Sequence, residues 1–319
     1  MLRIPLYLCV GMAAAVLSGP ALGQAWPSRP ITLIVPSSAG GTPDVVARLL
    51  ATGLSDKLGQ PVIVLDRPGA SGNIGSEAVA RSAPDGYTIL LGSIVNAVSP
   101  HLMKASVPLV DLAPISSVAA APDVLTVHPS VAAKNMQELI AFLKANPGTP
   151  VGYPGAGSTP HLSIESFRLM TGVQVTLVPY QGGGPMLQGL MSGQVPVAFA
   201  TTLGVVPRLK SGQLRGLAIS SARRIAALPD MPTVAESGLP GFEVTAWFGL
   251  FGPAKLSGAI SQHLAEATRA ALGTPGVRNR LIDLGAEPLG STPEEFGAFV
   301  QSEFQKWGKL IRDAGIRIE

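Results

Sequence analysis

The sequence predicts an α/β protein of two lobes, each built on a mostly parallel sheet flanked by helices. Three observations carry that expectation. Short β-branched runs alternate with amphipathic helical patterns almost throughout. The alternation restarts near residue 125, after a complete β-α-β-α-β unit. The length of 319 residues suits two domains, each with a real core, at roughly 100–200 residues per domain. Hydrophobic residues make up 46% and charged residues 13%, and the 37 Gly and 29 Pro promise many turns. The apolar residues cluster in periodic runs, which argues for a folded chain rather than a disordered one.

Taken in order, the chain opens with a leader pattern. Arg3 precedes an apolar run from Ile4 to Leu17, broken at Gly19-Pro20 and followed by the small residues Ala21, Gly23 and Ala25. That run is short for a membrane span and right for a secretory signal, so residues 1–25 are expected to be a cleaved signal peptide and the product periplasmic. The single cysteine, Cys9, lies inside it. A mature chain without cysteine has no disulfide, thiolate or cysteine–zinc chemistry.

The first strand is Ile31–Val35. Val45, Val46, Leu49, Leu50, Leu54 and Leu58 then mark one face of a helix stopped by Gly59. A strand at Val62–Leu65, a turn at Pro68-Gly69, a helix over 74–82, a turn at Pro84-Asp85-Gly86 and a strand at Tyr87–Leu91 follow. In a parallel sheet of this kind ligands sit beyond the carboxyl ends of the strands, so Pro36–Thr42 and Ser93–Asn96 are expected on one crevice. The second unit reads as strands at 118–127, 151–153, 175–178, 195–200 and 214–220, with helices over 137–145, 162–170 and 186–191. A strand over 244–251 and two or three helices bring the chain back to the first lobe. Residues 26–122 plus 245–319 are therefore expected to form lobe 1, and 123–244 lobe 2. Trp247 and Phe248 read as core, and the last helix, Phe296–Ile311, as a solvated face with Phe299, Phe304 and Trp307 turned inward.

The formal net charge is +3 and no basic stripe is present, which sets a nucleic-acid partner aside. The histidines, His101, His128, His161 and His263, lack metal-ligand spacing, and neither a metal nor a cofactor is expected. Ser37, Ser38, Ala39, Gly40, Gly41 and Thr42 form a small-residue loop entering a helix at Pro43-Asp44. Thr42 suits an N-cap and Pro43 the first turn, and such a helix start favours an anion. Asp44 is expected to cap backbone donors or meet a ligand amine. Gly157, Ser158 and Thr159, before Pro160, repeat the arrangement in the second lobe, without the lysine of a phosphate loop. Tyr180, Gln181 and Gly182 form a further strand-end loop, with Tyr180 either a pocket wall or a half-buried aromatic. Ser158 and His161 are three residues apart, and a hydrolase using that pair is the enzymatic alternative.

Several motifs stand in fixed order: Trp26-Pro-Ser-Arg-Pro-Ile31, Leu58-Gly-Gln-Pro-Val62, Arg67-Pro-Gly-Ala-Ser-Gly-Asn-Ile-Gly75, Ala83-Pro-Asp-Gly-Tyr-Thr88, Val178-Pro-Tyr-Gln-Gly182, Leu228-Pro-Asp-Met-Pro-Thr-Val-Ala-Glu-Ser-Gly238 and Gly285-Ala-Glu-Pro288. Together they resemble the tripartite tricarboxylate transporter substrate-binding proteins, the Bug receptor family. The resemblance implies a type II periplasmic-binding-protein fold with hinge strands between the lobes. It also implies a binding protein, not an enzyme, that takes a small organic acid and passes it to membrane transporter subunits. A monomer is expected. A ligand-sensing adaptor for a membrane receptor is the other reading. Ligand contacts carried over fall on Ala39, Gly40, Gly41, Thr42, Gly157, Ser158, Thr159, Tyr180, Gln181 and Gly182, with Ser93, Asn96, His161 and Thr201 beside them. The chain departs from the family at Ser37, usually Phe; at Pro43, usually Thr or Asn; and at Ala200-Thr201-Thr202, where an Asp is common. A roomier, less acidic pocket for an acid without a positive amine is the expectation.

Overall fold

The computed structural model describes residues 26–103 and 106–313; the leader segment with Cys9 lies outside them. In chain order the elements are β1 (Ile31–Val35), α1 (Thr42–Leu58), β2 (Val62–Asp66), α2 (Asn73–Ala80), β3 (Thr88–Ser93), α3 (Ile94–Leu102), β4 (Leu112–Val127), α4 (Met136–Ala145), β5 (Thr149–Tyr153) and α5 (Thr159–Thr171). There follow β6 (Val175–Pro179), α6 (Gly183–Met191), β7 (Val197–Thr201), α7 (Thr202–Lys210), β8 (Arg215–Ile219), β9 (Thr245–Pro253), α8 (Gly258–Leu272), α9 (Pro275–Asp283), β10 (Glu287–Pro288) and α10 (Pro293–Asp313).

The expected parallel units are present as β2-β1-β3 and β6-β5-β7. What joins them is antiparallel. β3 pairs β9, β9 pairs β4, and β4 pairs β7, giving the order β2-β1-β3-β9-β4-β7-β5-β6 with β8 and β10 also against β4. Each lobe thus keeps its parallel unit, and the whole sheet becomes mixed through the strands that join them. The reason is connectivity: β4 carries the chain out of the first lobe and β9 carries it back, so the two must run in opposite directions side by side. β4 is one 16-residue strand that changes neighbours midway. It pairs with β9 as far as Pro122↔Thr245, and with β7 from Asp123↔Thr201 onward.

Two helices went unread in the sequence. α3 and α7 open on β-branched or small residues and contain Pro100 and Pro207, and helix propensity alone argues against both. Tertiary packing and, for α3, a cap override it: Asn96 Oδ1 accepts the Ser93 N–H at 3.0 Å while Ser93 Oγ accepts from Val95 N. The C-terminal helices pack on elements from the first part of the chain. α8 lies on α1, and α10 lies across α3 and β4. Trp307 and Phe296 of α10 are buried, whereas Phe299 stays 39% exposed. The N-terminus is pinned by Trp26, which donates Nε1–H to Asp85 O at 2.8 Å and packs on Tyr87 and His263.

Candidate functional site

The two lobes enclose a cavity of about 490 Å³. Its wall collects the N-termini of six helices. α1 contributes Thr42 and Pro43, α2 its capping Gly72, and α3 Ser93 to Asn96. From the other lobe come Ser158, Thr159 and Pro160 of α5, Gly182 and Gly183 of α6, and Thr201, which precedes α7. The first N–H groups of each helix have no partner within it, and each helix start carries roughly half a positive charge. Among the described residues, none on this wall is Asp, Glu, Lys, Arg or His. Peptide dipoles, not side-chain charges, are what this wall offers an anion. Apolar wall is added by Leu91, Ile94 and Phe248 on one side and Met186 and Leu187 on the other. Such a surface can hold a carboxylate by amides and hydroxyls and cover an uncharged body with hydrocarbon.

Of the residues expected at the site, Ser37, Ser38, Thr42, Ser93, Asn96, Ser158, Thr159, Tyr180, Gln181, Gly182 and Thr201 line the cavity. Ala39, Gly40, Gly41, Asp44, Gly157 and His161 are not on its wall. Their hydrogen bonds explain why. The loop closes on itself, with Gly41 N–H donating to Ser38 O at 3.1 Å and Gly40 N–H to Asp44 Oδ2 at 2.7 Å. Asp44 is buried and paired to Arg48 Nε at 2.6 Å, so it serves its own loop and helix and does not face a ligand amine. Gly157 N–H donates to His161 Nδ1 at 3.1 Å, which turns that turn inward.

The loop after β1 meets the loop before α6, where Ser38 Oγ donates to Gln181 O at 2.7 Å. A Cβ built on Gly183 would lie 4.0 Å from Thr42 N, placing the starts of α6 and α1 face to face. The turn at Gly157 packs instead against Val98 and Leu102 of α3. A second bridge, Thr202 Oγ1 to Gly285 O at 2.9 Å, joins the lobes behind the cavity.

The Ser158–His161 pair is not arranged as nucleophile and base. Ser158 Oγ donates to Gly155 O at 2.6 Å. His161 is buried, stacks on Tyr153 at 4.8 Å between centroids, and uses Nδ1 to accept from Gly157. Burial, and then Arg168, push its pKa from the usual 6.5 down to about 4, which keeps it a neutral structural ring at physiological pH.

Tyr180 lines the cavity with its ring while its hydroxyl is buried against Gly189 without a hydrogen-bond partner. Any Cβ at Gly189 would collide with that hydroxyl, and would lie 2.6 Å from Cζ. Gly189→Ala is expected to push Tyr180 toward the cavity and weaken ligand binding by about tenfold, the equivalent of an overpacking cost of about 1.4 kcal/mol. Isothermal titration of the two proteins checks this; equal affinities would show that the ring position is immaterial.

Sequence reasoning missed the Pro68–Gly72 segment, Tyr153, Ala246 and Phe248 on the wall. It also missed Asp123, which is wholly buried and accepts from Thr201 Oγ1 at 2.9 Å directly behind the lining. The signal for Asp123 was present as a lone acid within an apolar strand. The strand's period of two could have separated Phe248 from Trp247, since neighbours on a strand face opposite sides.

The profile described as the tripartite tricarboxylate transporter family receptor matches residues 46–316. The chain is 37% identical to protein BugT of Bordetella pertussis, over 100% of this chain and 99% of that protein. Its fold is similar to that of Rpa4515 of R. palustris with adipate, at a TM-score of 0.88 and 36% identity, covering 92% of this chain and 99% of that one. It is similar also to MatC of Rhodopseudomonas palustris with bound malate, at a TM-score of 0.84 and 32% identity, covering 89% and 99%.

Proposed function

Because the chain belongs to the tripartite tricarboxylate transporter receptor family, we propose that it captures a small carboxylate between its lobes and hands it to a membrane transporter of that tripartite class. The observation that carries this reading is the wall itself: six helix starts aimed at one cavity that contains no charged side chain. Peptide dipoles attract an anion without a counter-ion whose desolvation would have to be overcome. The adipate and malate held by relatives of the same fold support it. The leader at residues 1–25 would direct the chain to the periplasm and be removed there. No helix among the described residues is long and apolar enough to cross a membrane. The hinge falls at Pro122-Asp123 and Val244-Thr245, where β4 and β9 pass between the lobes.

The guest is further an acid without an ammonium group. An α-amino acid needs a carboxylate or several carbonyls to replace the water around its amine. The wall offers no carboxylate, and Asp44 is engaged by Arg48 and Gly40. At about 490 Å³ the cavity lies in the range that encloses small organic molecules up to drug size, so a six-carbon or aromatic acid fits as well as a shorter one.

A thermal-shift panel of adipate, malate, benzoate, aspartate and glutamate on the mature protein tests both statements. At 100 times its Kd a true ligand stabilises by about 2.7 kcal/mol. The expected result is a shift with at least one of the first three and smaller shifts with the amino acids. An amino acid as the strongest stabiliser overturns the amine-free reading, and a flat panel overturns carboxylate capture.

A further inference from the structure

Asp123 stands where β4 leaves β9 for β7, and its hydrogen bonds reach α5, the end of β7 and Ser220 just after β8. Its Oδ2 accepts from Ser163 Oγ of α5 at 2.8 Å, and its Oδ1 from Thr201 Oγ1 at 2.9 Å. Its backbone N–H donates to Ser220 Oγ at 2.7 Å, and its carbonyl accepts from Ser220 N. Ser220 in turn donates Oγ–H to Val244 O at 2.5 Å and accepts from Val244 N at 3.0 Å. One residue therefore ties together both crossings between the lobes, the second turn of α5 and the residue before α7 that lines the cavity.

The carboxyl is 0% exposed and has hydroxyl partners only. The ionisable groups on the surrounding elements are His161, Glu165 and Arg168 of α5, Arg208 and Lys210 of α7, Arg215 of β8, and Arg223, Arg224, Asp230, Glu236 and Glu243 between β8 and β9. None of them perturbs it. Burial raises its pKa from 3.8 to about 7, against the opposing pull of the Ser163 and Thr201 hydroxyls. A carboxyl in this setting changes its proton within the neutral range.

We propose that Asp123 is a positioning residue that couples loading of the cleft to uptake of one proton. In the ionised form Thr201 must turn its O–H inward to Asp123, and it offers the cavity only a lone pair. Once Asp123 takes a proton from solvent, its own O–H donates to Thr201 Oγ1. The Thr201 hydroxyl is then free to rotate and donate to an anion in the cavity it lines. Protonation also removes a buried negative charge from behind the anion site. Both effects favour the loaded state, so by linkage the loaded state favours the proton. The inference rests on the reading that the guest is an anion.

The test uses the mature protein, its Asp123→Asn variant and Thr201→Val, melted at pH 6.0 and 8.5 with no ligand and with adipate, malate or benzoate. The ligand-free melts come first. Between about pH 4 and pH 7 the folded chain holds a proton that the unfolded chain lacks, so the stabilisation present in acid is lost as the pH rises toward 7. Wild type should therefore lose stability relative to Asp123→Asn on going from pH 6.0 to 8.5, whether or not any acid binds. An equal difference at both pH values overturns the proposal. In wild type the affinity for the acid that binds should weaken about tenfold per pH unit above the titration of Asp123, and titration in buffers of different ionisation enthalpy should show proton uptake. Asp123→Asn should bind without pH dependence over this range, and Thr201→Val should bind more weakly at pH 6.0 with a flattened profile. Identical pH slopes in wild type and Asp123→Asn overturn the coupling. If no acid shifts any protein, the carboxylate reading fails separately, and the ligand-free melts still decide Asp123.

Discussion

Gly183→Phe is expected to abolish ligand capture, with at least a 100-fold loss of affinity for whichever acid the wild type binds, about 2.7 kcal/mol or more. Gly183 is the first residue of α6 and lines the cavity. A Cβ there would sit 4.0 Å from both Thr42 N and Thr42 Oγ1 across the cleft, in ordinary contact. Alanine is therefore tolerated, and a fall of a few-fold is expected for it. A benzyl group built from that Cβ reaches into the space between the starts of α1 and α6, where the proposed capture places the anion. It fills that space and holds the lobes apart. The position is at the mouth of a helix and not in a core, so the ligand-free melting temperature should stay within about 2 °C of wild type, as for a surface substitution. Calorimetric titration and a melt of the same sample give both values. Near-wild-type affinity in Gly183→Phe would mean that the anion sits elsewhere in the cavity, and the geometry proposed for capture would be wrong.

How much of this was legible in the sequence depended on whether the signal was local. The strand and helix pattern of both lobes was, because alternation and helical periodicity are written into neighbouring residues: Ile31–Val35 and the stripe from Val45 to Leu58 are examples. The small-residue loops at 36–42 and 179–184 were also recognisable as corners from strand to helix. Their partnership was not. Whether the first loop meets 157–159 or 181–184 is decided by how two lobes dock, and no residue in either loop encodes it. Asp44 shows the same limit. Its position at the start of α1 was plain, but its engagement by Arg48 and by the Gly40 N–H is a choice among several local hydrogen bonds, and only the folded loop makes it. α3 and α7 were obscured for the opposite reason. Local propensity pointed away from helix at Pro100 and Pro207, and packing against β9, β4 and the neighbouring lobe prevailed.

Glu303→Ala is expected to be strongly destabilising although it lies outside the cavity. Glu303 lies on α10, 8% exposed, and its Oε2 accepts two indole N–H groups at once, from Trp307 at 2.7 Å and from Trp247 at 3.1 Å. This acid fastens α10 to β9, where Trp247 is ringed by Phe251, Phe296 and Phe299 at 5.5–6.5 Å between centroids. Truncation removes the shared acceptor and leaves two buried donors without partners, each costing about 1–3 kcal/mol. A side-chain-sized void adds to that. A loss of about 3–5 kcal/mol follows, read by urea denaturation followed through tryptophan fluorescence. Glu303→Gln keeps an amide oxygen for one or both indoles and should lose about half as much. Affinity should change less than threefold in either variant. Trp247 points to the α10 side of β9, while its neighbour Phe248 points to the cavity, and the alternation of the strand separates the clamp from the site. A loss below about 1 kcal/mol in Glu303→Ala would mean that water or a rotated indole satisfies the orphaned donors, and that α10 is held by its aromatic contacts alone.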